Sequence, residues 1–86
     1  MSSVDGVKAQ LRAGNEAALE GQQVLARVAV ETAETTAVAR TTLQDTQDSD
    51  VTAALAALAE AAQEIDLSDR RLTRAVDHVN KYLARL

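Results

Sequence analysis

The chain has 86 residues and a mass of 9.1 kDa, with 9 Lys plus Arg against 13 Asp plus Glu and no Cys, Pro, Trp or Phe. One small domain is the ceiling, and without cysteine there is no disulfide framework, thiol nucleophile or thiolate metal site. A net charge of −4 and a single aromatic residue, Tyr82, argue against nucleic acid, which needs a basic surface and stacking side chains.

Apolar residues make up 47 % of the chain, but 18 of these 40 are alanines that bury little area each. The Val, Leu and Ile that remain give a self-contained core of only a few kcal/mol, since apolar burial contributes roughly 25 cal/mol per Å² against a comparable entropy cost. Composition therefore already points to self-association or a partner. Abundant Ala, Leu, Glu, Gln and Arg without proline make helix the default.

The first predicted element is a long helix over about 3–44. Ser2 followed by Asp5 resembles a capping box at its start. Val4, Val7, Leu11, Ala18, Leu25 and Val28 mark one face, which Thr32, Thr35 or Thr36, Ala39 and Leu43 continue with a drift. Gly14 and Gly21 each cost this helix about 1 kcal/mol relative to Ala, and a kink near Gly14 is the minority alternative. Residues 45–50, Asp-Thr-Gln-Asp-Ser-Asp, form an acidic turn in which Asp48 or Ser49 caps the next helix. Asp45, Asp48 and Asp50 depart from a calcium-binding loop, with Asp50 where glycine is needed and Ala56 where a bidentate Glu belongs, so capping is the better account. No metal and no cofactor is expected.

The second helix, about 50–86, is the regular one. Val51, Leu58, Ile65, Leu72, Val79 and Leu86 recur every seven residues, and Leu55, Ala62, Asp69, Val76 and Leu83 form a second row beside them. A third row, Ala54, Ala61, Ser68, Ala75 and Tyr82, widens the stripe to three positions in seven, as in a bundle helix. A turn this short forces the helices antiparallel. The predicted fold is all-α, a single-domain hairpin with coiled-coil spacing that associates into a four-helix bundle. Folding back around residue 48 sets Gly14 opposite Tyr82, Gly21 near Ala75 and Val76, and Arg27 opposite Asp69.

Asp69 is the anomaly, a carboxylate in an apolar row that needs a partner when buried. Arg27, Arg70 or an arginine of a second chain are candidates, and a register-setting role is the preferred reading over simple tolerance. His78, the only histidine, falls beside the polar stripe without a second group to act as base or nucleophile partner, so no catalytic residue is expected. Leu67, Val30 and Val38 lie off the main stripes and together suggest a second contact surface. Gly14, Gly21 and Ala54, Ala61 and Ala75 permit close helix approach. Arg70, Arg71, Arg74, Lys81 and Arg85 make the end of the chain basic against the acidic turn, a polarity that favours antiparallel or head-to-tail association.

Size, hairpin layout and an Ala-rich second helix make the chain resemble the ESX-secreted helical-hairpin family of actinobacteria, whose members pair into four-helix bundles. That family carries a Trp-x-Gly turn and a Tyr-x-x-x-Asp/Glu signal. Here the turn is Asp45-Thr46-Gln47-Asp48-Ser49-Asp50, and Tyr82-Leu83-Ala84-Arg85-Leu86 ends in Leu where the acid stands. The ending His78–Leu86 is also similar to that of other small actinobacterial helical proteins, a likeness that supplies no activity and no site residue. Seven Arg against two Lys, with abundant Ala, agree with a GC-rich bacterial source.

The expected function is non-enzymatic: self-association, with a homodimer favoured, and binding of a helical protein partner. The resemblance implies the alternative, a secreted or secretion-associated hairpin that pairs with a different protein. The expected interface is the second helix, at Val51, Leu55, Leu58, Ile65, Asp69, Leu72, Val76, Val79, Tyr82, Leu83 and Leu86. No 18-residue apolar stretch or basic leader is present, so the expected location is the cytoplasm, with leaderless secretion left open.

Overall fold

The computed structural model describes residues 3–86 and shows two helices, α1 (Ser3–Thr42) and α2 (Ser49–Arg85), folded into an all-α hairpin. At 1.5 Å rise per residue, 40 and 37 residues give rods of about 60 and 55 Å. The molecule measures 66 × 16 × 15 Å, a rod about four times as long as it is wide. Its radius of gyration, 19.3 Å, compares with about 12 Å for a compact 86-residue domain.

Each helix end has an identifiable cause. At the end of α1 the Leu43 amide still bonds to the Ala39 carbonyl at 2.9 Å, and the Thr46 amide to the Leu43 carbonyl at 3.0 Å, which turns the chain. Asp48 then adopts an extended backbone conformation, and its carboxylate accepts from the Asp50 amide at 2.8 Å. Of the two expected caps it is therefore Asp48 that opens α2, satisfying a backbone donor that the first turn leaves free. α1 runs as one helix through Gly14 and Gly21, with no positive φ at either. The capping box expected at Ser2 lies outside the described residues.

The helices meet along one seam with the same 4-3 spacing on both. On α2 it is Val51, Leu55, Leu58, Ala62, Ile65, Asp69, Leu72, Val76, Val79 and Leu83, all half-buried except Ala62. On α1 it is Lys8, Leu11, Asn15, Ala18, Gln22, Leu25, Ala29, Thr32, Thr36, Ala39 and Leu43, all half-buried except Ala29. Leu11, Ala18, Leu25, Thr32, Thr36, Ala39 and Leu43 of the expected α1 face stand in this row, and the rest is corrected: Lys8, Asn15 and Gln22 join it without a drift, while Val4, Val7 and Val28 lie beside it, 44 %, 41 % and 38 % exposed. The regular stripe of α2 decides which side of α1 is covered, and α1 follows that geometry even where it puts polar side chains inward.

Candidate interaction surface

No described residue is fully buried. The hairpin exposes 6509 Å², whereas a compact chain of 9.1 kDa exposes about 4,900 Å². Two helices in contact along one line cannot enclose a side chain from all directions, so each seam residue keeps an open flank.

The polar residues of the seam bond to one another. The Gln22 Nε2 donates to the Asp69 carboxylate at 3.0 Å, to the Thr73 hydroxyl at 2.7 Å and to the Asp69 carbonyl at 3.2 Å. An amide has two hydrogens for these three acceptors, so one hydrogen is shared. Thr73 in turn donates to the Asp69 carbonyl at 3.0 Å. Nearer the termini, the Asn15 Nδ2 donates to the Asn80 Oδ1 at 2.9 Å. Asp69 therefore has its partner within the chain, and that partner is Gln22. The expected Arg27 opposite Asp69 is incorrect: Arg27 is five residues further along α1 and exposed. Sequence reasoning missed Gln22, Asn15, Thr73 and Asn80, although the seven-residue spacing from Lys8 to Asn15 to Gln22 was present as a signal.

The same bonds fix the register. Gln22 meets Asp69 and Thr73, and a Cβ built at Gly21 would lie 3.9 Å from Leu72 Cδ1. Gly21 thus faces Leu72, not Ala75 and Val76. The chain folds back about an axis slightly before residue 48, because the last α1 bonds stop near Leu43. At Gly14 an added Cβ would meet nothing within 4 Å, so Tyr82 does not fill against it. The Tyr82 ring is instead 41 % exposed, with the Arg85 guanidinium 5.8 Å from its centroid.

The seam divides the hairpin into two flanks of different chemistry. One flank carries Asn15–Asn80 and Gln22–Thr73, with Asp5, Arg12, Leu19, Ala26, Ala33 and Arg40 on α1 and Thr52, Ala59, Asp66, Thr73 and Asn80 on α2. The other carries Gly21 against Leu72, with Val7, Gly14, Gly21, Val28, Thr35 and Thr42 on α1 and Ala54, Ala61, Ser68, Ala75 and Tyr82 on α2. The two rows that form that second flank hold no charged residue; Arg85 reaches the Tyr82 ring at one end, and Glu31 and Glu34 line the groove beside Thr35 and Thr42 at the other. It contains the third row of α2, which α1 leaves open: Ala54, Ala61, Ala75 and Tyr82 are exposed and Ser68 is half-buried.

The remaining candidates fall elsewhere. Among the expected interface residues, Tyr82 and Leu86 are exposed, and the other nine are half-buried in the seam. Leu67 lines a shallow groove with Arg70, Thr73 and Arg74, whereas Val38 lines a separate one with Glu34, Thr35 and Leu43, and Val30 is exposed. His78 is exposed. Among the described residues no three His, Asp or Glu side chains converge on a metal-sized site, and no helix is long and apolar enough to cross a membrane. Among the described residues, Arg70–Asp66 at 3.0 Å and Lys81–Asp77 at 3.1 Å form i, i+4 ion pairs on the exposed face of α2. Comparison with known proteins gave no match: no family model, no curated protein and no solved structure is similar to this chain.

Proposed function

We propose that the chain is a non-enzymatic helical protein that acts by self-association, two hairpins packing into a four-helix bundle that can in turn engage a protein partner. The observation that carries this reading is the incomplete burial. The hairpin leaves about 1,600 Å² more surface in water than a compact chain of its mass, about twice the roughly 800 Å² that each partner buries in a standard stable interface. Rows of Leu, Ile and Val at bundle spacing that end half-buried are what a second layer of helices completes. Stability would then be shared between copies and rise with concentration.

Size-exclusion chromatography with light scattering tests this directly. The expected mass is about 18 kDa, twice that of the chain. A cooperatively folded species of 9.1 kDa at millimolar concentration would overturn the proposal.

A further inference from the structure

We infer that the uncharged flank is the self-association face, and that two copies stack on it in opposite directions, the turn of each hairpin lying against the chain termini of the other. The inference rests on the self-association reading and specifies its face and polarity.

Three observations carry it. The first is desolvation. The rows bearing Ser68 and Tyr82 hold no charged residue, whereas the opposite flank would bury Asp5, Arg12 and Arg40, and Asp66 with its ion-pair partner Arg70; burying charges is costly enough to decide between faces. The second is area. The flank runs the 66 Å length of the hairpin, and the chain exposes about 1,600 Å² more than a compact chain of its mass, against the roughly 800 Å² per partner of a standard interface.

The third is charge along the long axis. Between residues 24 and 67, the half nearest the turn, lie eight of the 13 acidic side chains and only two of the nine basic ones. The terminal half carries the other seven basic side chains against five acidic ones. A two-fold axis lying across the helices sets acidic half on basic half twice over, whereas one along the helices sets like on like. The crosswise axis also lays α2 on α2 in antiparallel fashion, with Ser68 nearest the axis and Glu64 of one copy beside Arg71 of the other at the rim. Shape agrees. Tyr82, near the termini on one α2, meets the small side chain of Ala54 near the turn on the other.

The absence of cysteine makes the test clean. The purified full chain is compared with Ala75→Glu on the uncharged flank and Ala59→Glu on the other, both at exposed positions where the hairpin itself tolerates the side chain. Ala75→Glu is expected to raise the dimer Kd by on the order of a hundredfold while leaving a helical monomer, and Ala59→Glu by less than about threefold. Ser68→Cys is expected to cross-link to itself on mild oxidation, because a crosswise axis brings its two copies within disulfide reach, whereas Ala26→Cys, at a similar level on the opposite flank, is not. A wild-type chain that stays monomeric refutes the self-association reading itself. A wild-type dimer split by Ala59→Glu but not by Ala75→Glu refutes the choice of face alone. A dimer split by Ala75→Glu in which Ser68→Cys does not cross-link refutes the opposed polarity.

Discussion

Replacing the two mid-helix glycines of α1 tests whether the hairpin geometry accounts for them. Neither has a positive φ, so alanine is compatible with the backbone at both. At Gly14 an added Cβ meets open space, and at Gly21 it reaches an ordinary contact of 3.9 Å with Leu72 Cδ1. Gly14→Ala should therefore return only the helix-propensity difference, about 0.8–1 kcal/mol. Gly21→Ala should add a partly buried methyl to that, about 0.3 kcal/mol more when a fully buried one contributes about 0.8. The two sites lie seven residues, or about 10 Å, apart on the helix and should add nearly independently. The double variant is thus expected to gain about 2 kcal/mol, a rise in Tm of roughly 8–16 °C for a chain of this size. Thermal melts and urea titrations followed by far-UV circular dichroism, at one fixed protein concentration, measure it. A loss of 1 kcal/mol or more with helix content unchanged would refute the account of these glycines by the hairpin alone, since it would mean that they admit a close neighbour the single hairpin does not contain, such as a second copy on that flank.

The polar layers offer further checks. Asp48→Ala removes the carboxylate that accepts from the Asp50 amide and should cost about 1 kcal/mol of stability in a urea titration. A double-mutant cycle on Gln22→Ala and Asp69→Ala should give a coupling of about 1 kcal/mol, because the bond between them at 3.0 Å is half-open to water; a coupling near zero would deny the pair any role. Replacing both by Leu should raise stability while broadening the distribution of oligomers, as expected where buried polar groups set register at a cost in stability. Ala62→Leu, facing the shallow grooves that Ala62 and Ala29 leave between the helices, should stabilise the hairpin by about 1 kcal/mol. Raising salt from 0.05 to 0.5 M should weaken an opposed dimer severalfold through screening, read as a shift in sedimentation midpoint.

Local chemistry and periodicity determined most of the architecture. Without proline, and with an unbroken 4-3 stripe from Val51 to Leu83, α2 had one possible secondary structure and one possible inner face. The polar run at 45–50 with Asp48 before the stripe dictated a short capped turn and thus antiparallel helices. Those features depend on neighbours within a few residues, which a sequence displays directly. What only the tertiary structure decided is which side of α1 is covered. Apolar residues on α1 are spread over several faces, so hydrophobicity picked Val7 and Val28, whereas contact with α2 selected the row through Asn15 and Gln22. The register likewise depends on where the last α1 hydrogen bonds stop, near Leu43, and a shift of that point moved the partner of Asp69 from Arg27 to Gln22. The separation of a charged from an uncharged flank follows from both, because a flank exists only once two helices share a seam.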